Sequence, residues 1–139
     1  MEKKIITLKN RIESYKTSRN VFISFKYALS GISYVLKTSR NFKIQLFFAV
    51  TSLMIGFLLQ IGLSNYVILI STIMSVLILE VLNTSIESIV DLVVKKEFRS
   101  LAKIAKDTSA GAVLLASINS VISAVYIFFP KIKLLFESI

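Results

Sequence analysis

The stretch Glu80-Val-Leu-Asn83-Thr84-Ser85-Ile-Glu87-Ser-Ile-Val-Asp91 gathers three carboxylates and an amide at helical spacing. At about 100° per residue, Asn83, Glu87 and Asp91 fall within roughly 60° of Glu80 around a helix axis, and Thr84 lies on the same stripe. A second polar cluster, Lys103-Ile-Ala-Lys106-Asp107, leads into the small residues Ser109-Ala-Gly-Ala112. Carboxylates on one stripe with lysines across a short loop suit a divalent cation and a polyphosphate. Mg²⁺ prefers oxygen ligands and often takes one or two carboxylates plus phosphate oxygens, and lysine neutralises phosphate charge. A carboxylate near a membrane interface can take the proton of a lipid hydroxyl as it attacks a phosphoryl group.

Composition narrows the alternatives. Cysteine and histidine are absent from the 139 residues. That excludes a disulfide framework, a Cys or His metal site, a thiol nucleophile and an imidazole base. The chain has neither a G-x-x-x-x-G-K-[ST] loop nor a kinase-type glycine loop, and its four glycines, at 31, 56, 62 and 111, could not build one. Any nucleotide site is of another kind.

The elements that position these residues are set by where charge is missing. No charged residue occurs from Ile44 to Leu79 or from Thr108 to Pro130, and 55% of the chain is hydrophobic. A bilayer span needs about 20 mostly apolar residues. The first run is too long for one helix and too short for two, and Gln60-Ile-Gly-Leu-Ser-Asn65 is its most turn-like part. The expectation is an all-α membrane protein with spans at about 44–61, 66–94 and 108–129, the last stopped by Pro130. A soluble helical bundle is disfavoured, because apolar runs of this length normally mean lipid.

Of the formal net charge of +9, residues 1–43 carry most: ten basic side chains against Glu2 and Glu13. Ile5, Leu8, Ile12 and Tyr15 recur at helical spacing, and Phe22, Phe25, Leu29, Ile32 and Leu36 continue the pattern. This arm reads as basic amphipathic helix on an anionic leaflet rather than as a nucleic-acid-binding surface, because its charge adjoins a membrane span. It lacks the apolar core of a signal peptide. The basic bias places the N-terminus and the 95–106 segment on the cytoplasmic side of the inner membrane and the Ser64–Asn65 turn outside. Lys131 and Lys133, left outside by three spans, run against that bias. At 1.5 Å per residue, Glu80 lies about 21 Å from Tyr66, inside the hydrocarbon core, where a carboxylate is costly and by default functional. Glu87 and Asp91 fall at the cytoplasmic interface, where the ordinary reading is a helix emerging into water.

The two blocks Glu80-Val-Leu-Asn83-Thr84-Ser85-Ile-Glu87-x-x-x-Asp91 and Ala105-Lys106-Asp107-x-x-Ala110-x-Ala112-Val113, with Phe25-Lys26-Tyr27-Ala28 and Gly31 before them, resemble the small prokaryotic integral-membrane lipid kinases, diacylglycerol kinase and undecaprenol kinase. The resemblance covers about residues 20–130. It implies a single lipid-kinase domain over 1–139, a homotrimer of three-span subunits with sites at the cytoplasmic interface, and transfer of the γ-phosphoryl of ATP to a lipid hydroxyl with Mg²⁺. Carried over by position, Glu80 is the catalytic base, Asn83 a polar organiser and Glu87 a metal ligand. Lys106 and Asp107 are the nucleotide-contacting pair, with Tyr27 and Glu97 as further nucleotide contacts. One position departs: where the family usually carries a second metal-binding glutamate, before Arg40-Asn41-Phe42, this chain has Ser39.

Three functions follow for comparison. The leading one is an ATP:lipid phosphotransferase acting on diacylglycerol, with undecaprenol as the alternative acceptor. A small proton-coupled transporter would use Glu80 as a relay, but leaves the Lys106–Asp107 pair idle. A catalytically impaired membrane scaffold would use the carboxylates only to bond helices together.

Overall fold

The computed structural model describes residues 21–95 and 97–137, and every regular element among them is helical. The elements are α1 (Val21–Thr38), α2 (Arg40–Leu58), α3 (Leu63–Val94) and α4 (Ser100–Glu137). The amphipathic pattern over Ile5–Tyr15 lies outside the described residues, as does Lys96. The chain divides into two compact units at Tyr34 and Val35. The described part of the first is the bulk of α1, where Phe22, Phe25, Leu29 and Ile32 are all exposed.

In the second unit α3 is central and packs against both α2 and α4. Helices α2, α3 and α4 are each long and apolar enough to cross a membrane. Most of their large apolar side chains, such as Phe47, Phe57, Leu115 and Ile122, face outward. An apolar exterior is what lipid solvates, so burial against protein is not needed to keep these helices folded.

The joints show how the chain breaks its own apolar runs. Ser39 separates α1 from α2 as a single extended residue: its N–H donates to Val35 O (2.8 Å) and its Oγ accepts from Phe42 N (3.1 Å). That is an N-cap, and it satisfies one of the donors a helix start leaves open. The α2–α3 turn closes by two reverse hydrogen bonds, Gln60 N to Phe57 O (3.2 Å) and Ile61 N to Gly56 O (3.1 Å). Gln60 adopts the left-handed conformation this motif requires, with φ of 51°. Ile61, 5% exposed, then folds over Gly56, where a Cβ would lie 2.8 Å from Ile61 Cδ1. Ile61, Leu69 and Ile127 form the core at this end, with Tyr66 and Phe128 against them. Lys95, also left-handed (φ 49°), closes α3 by donating its N–H to Asp91 O (3.1 Å).

One expectation is corrected. Pro130 does not stop the third membrane helix: α4 runs through it to Glu137. Proline removes one N–H, so the carbonyl four residues back loses its partner. Stopping the helix there would leave several backbone groups open instead of one, and in an apolar surrounding that outweighs one lost bond. Ile127 is buried just before the proline, and a Lys133–Glu137 pair (3.6 Å) bridges the turn after it. The helices also overrun the charge-free stretches, α2 starting at Arg40 and α4 at Ser100. Long basic side chains can keep their heads in water while their backbone joins the span.

Candidate active site

The acidic stripe of α3 descends from a buried end to an exposed one. Glu80 is 2% exposed and Asn83 7%, Glu87 is half-buried, and Asp91 is exposed. Four-residue spacing makes Asn83 and Glu87 neighbours, and Asn83 Nδ2 donates to Glu87 Oε1 (3.1 Å). Thr84 spends its hydroxyl on the Glu80 backbone carbonyl (3.0 Å).

Helix α4 meets this stripe from the side. Ser109 Oγ lies 2.6 Å from Asn83 Oδ1 and 2.9 Å from Lys106 O, with one proton to serve both. Lys106 Nζ donates to Asp91 Oδ1 (2.6 Å), so the two polar blocks, fifteen residues apart, meet across the α3–α4 loop. Asp107 pairs instead with Lys103, one turn away on its own helix. Glu97 pairs with Arg99 (2.9 Å) in the loop, and both are exposed. Asp91, Glu97, Arg99, Lys103, Lys106 and Asp107 line an open cleft together with apolar side chains such as Val94 and Phe98. Tyr27 is exposed on α1, in the part belonging to the first compact unit.

The buried end has partners that sequence reasoning missed. Glu80 Oε1 accepts from Ser39 Oγ (2.8 Å) and Oε2 accepts from Gln45 Nε2 (3.1 Å). In the sequence Ser39 stands out only for the glutamate it replaces. Gln45 carried one usable signal, an amide set just inside an apolar run, where a polar side chain needs a partner. Ser109 carried none, since serine is ordinary in membrane helices.

No group of three or more His, Cys, Asp or Glu side chains poised to hold a metal occurs among the described residues. The half-buried carboxylate is Glu87, beside the amide of Asn83. That set fits Mg²⁺ bound by one protein carboxylate with phosphate oxygens and water completing its shell, the arrangement this ion prefers. It does not fit a cation caged by protein alone.

Among the described residues, three membrane-long helices and a polar row running from a buried glutamate to a lysine–aspartate pair mark a helical membrane protein. A family model described as prokaryotic diacylglycerol kinase matches residues 26–128, and the chain belongs to that family. It is 45% identical over 112 residues to a diacylglycerol kinase of Synechocystis sp., covering 81% of this chain and 64% of that protein. It is 40% identical over 111 residues to an undecaprenol kinase of Bacillus subtilis, covering 80% of this chain and 89% of that protein. A diacylglycerol kinase of Escherichia coli is 42% identical over 65 residues, which is 47% of this chain and 52% of that protein. The chain thus spans less than two thirds of the Synechocystis relative's length.

Proposed function

We propose that the protein is a lipid kinase that moves the γ-phosphoryl of ATP to the hydroxyl of diacylglycerol at the cytoplasmic face of the inner membrane. The observation that carries this is Glu80: a carboxylate 2% exposed in a membrane-long helix, leading through Asn83 and Glu87 to the Asp91–Lys106 pair at the polar end. An acceptor whose hydroxyl sits at the buried end and whose donor is anionic and water-soluble needs that polarity.

In this mechanism Glu80 accepts the proton of the lipid hydroxyl as its oxygen bonds to the γ-phosphorus. The bond from that phosphorus to the β,γ-bridging oxygen breaks, ADP leaves, and the proton rests on Glu80. Mg²⁺, where bound, neutralises charge on the phosphate oxygens, and Glu87 is the side chain that would hold it. Asn83 keeps Glu87 turned toward that end. Lys106 exchanges Asp91 for phosphate when nucleotide arrives, one anion replacing another. Asp107, Glu97 and Tyr27 are assigned to nucleotide contact by family position. The N-terminus and the α3–α4 loop lie on the cytoplasmic side, the basic arm rests on anionic lipid, and the working form is a homotrimer.

Undecaprenol is the second acceptor to consider, because the match to the Bacillus subtilis undecaprenol kinase spans more of that protein's length, 89%. Both acceptors offer a primary hydroxyl at the interface. The test is purified protein in detergent with ATP and Mg²⁺, offered each lipid in parallel while labelled phosphate is followed into the lipid fraction. Transfer to diacylglycerol in excess of undecaprenol is expected. The reverse preference would move the substrate assignment, and transfer to neither by well-folded protein would sink the kinase reading.

A further inference from the structure

The phosphotransferase reading gives Glu80 a role but none to the two side chains that hold it. Ser39 stands at the α1–α2 joint and Gln45 lies in the second turn of α2, whereas Glu80 belongs to α3. Each oxygen of the one carboxylate accepts from a different donor, Oε1 from Ser39 Oγ (2.8 Å) and Oε2 from Gln45 Nε2 (3.1 Å). Rotating the carboxylate about its last torsion, ordinarily a soft motion, breaks both bonds at once. Both donors are neutral, and no Lys or Arg pairs with Glu80 among the described residues.

One of the two donors is itself fixed. Ser39 has one proton and two lone pairs, so it can donate to Glu80 while its oxygen accepts from Phe42 N and caps α2. Gln45 is anchored at one end only. Its Oε1 is fully buried and without a hydrogen-bond partner. Gln45 also lines a groove of about 270 Å³ between α2, α3 and α4, whose walls include Ala49, Ser52, Val76, Ser120 and Ala124. A buried amide oxygen left unpaired is costly, and the serines of this mainly apolar groove do not pair with it. An alcohol does once its entry parts the side chains that cover Oε1: its single hydroxyl hydrogen then pairs with Oε1 within reach of Glu80.

We propose that Ser39 and Gln45 are positioning residues that clamp Glu80, and that Gln45 Oε1 receives the hydroxyl hydrogen of a lipid alcohol entering from the groove before the proton passes to Glu80. The proposal rests on the phosphotransferase reading of Glu80. It also changes the meaning of Ser39. Where the family usually carries a metal-binding glutamate, this chain has a neutral proton donor to Glu80.

Two measurements test it. In the first, full-length protein carrying ¹³C-carboxyl glutamate is compared by infrared difference with its Glu80→Gln variant, which isolates the Glu80 carboxylate band. Ser39→Asp keeps a good N-cap but cannot donate while ionised; Gln45→Leu removes the amide; Ser39→Thr keeps both cap and donor. The band should move in the first two variants and stay in the third. A band unmoved by Ser39→Asp and Gln45→Leu overturns the clamp, whether or not any lipid is phosphorylated. In the second, turnover is measured with both lipids. Ser39→Asp and Gln45→Leu should lower kcat by roughly 10- to 100-fold with KM for ATP unchanged, the scale expected when a reacting group is misplaced. Gln45→Leu should also raise KM for the lipid, and an unchanged value removes the role of Oε1. Ser39→Thr should stay close to wild type. A rise in Ser39→Asp activity at limiting Mg²⁺ would overturn the proposal, because serine would then be only a missing ligand. Wild-type protein that phosphorylates neither lipid defeats the kinase reading alone, and the infrared comparison still decides the clamp.

Discussion

A carboxylate, a lysine and their partners divide the proposed chemistry between a dry end and a wet one. Glu80 at the dry end is 2% exposed, and Glu80→Gln should reduce phosphate transfer by about 10²- to 10⁴-fold, the usual contribution of a positioned base. Glutamine fits the same space, so helix content and assembly should be unchanged by circular dichroism and size exclusion. Retained turnover would take Glu80 out of the base role. At the wet end Lys106 and Asp91 form a pair whose side chains are 36% and 53% exposed. Such a pair contributes about 0–1 kcal/mol. Lys106→Ala should therefore leave the thermal midpoint nearly fixed while raising KM for ATP, and a large loss of stability with no change in KM would reverse that assignment.

The elements hold this row through a few joints that each break a local preference. Gln60 sits at positive φ without being glycine, where an L-residue is strained by about 1–2 kcal/mol. Gln60→Gly should therefore raise resistance to thermal or SDS unfolding by up to about 1 kcal/mol after glycine's larger chain entropy is counted, without altering turnover. A drop in stability would mean that the Gln60 side chain holds the turn. Pro130 imposes the opposite kind of strain, a helix interior position without an N–H. Pro130→Ala restores that bond and should stabilise α4 by up to about 3 kcal/mol in the same unfolding assay, again with unchanged kcat. Both substitutions lie at or beyond the core of Ile61, Leu69 and Ile127, at the end of α3 away from Glu80.

At the scale of the whole molecule, the single chain leaves a polar group facing the wrong way. Asn119 is exposed on α4 in the middle of a charge-free stretch of membrane-long helix. Amides in lipid normally face another helix, and the proposed homotrimer provides one. Cross-linking in detergent should give a ladder that stops at three subunits, and Asn119→Leu should weaken it by about 0.6–2 kcal/mol in a dilution series. A ladder that stops at two subunits, or that continues past three, would contradict the trimer.

What the sequence determined by itself is whatever depends on distance along the chain. Long uncharged runs require lipid-facing helices, and spacing of three, four and four residues puts Glu80, Asn83, Glu87 and Asp91 on one face. Helical geometry leaves no choice in either case. The sequence also marked Lys106 and Asp107, but not that Lys106 reaches back to Asp91 while Asp107 turns to Lys103. It misjudged Pro130, because local propensity does not weigh one lost bond against the many that unravelling would cost in an apolar surrounding. Only the tertiary structure decided what meets Glu80. Ser39 and Gln45 are 41 and 35 residues away, and their approach depends on how α2 packs on α3, which no periodicity encodes.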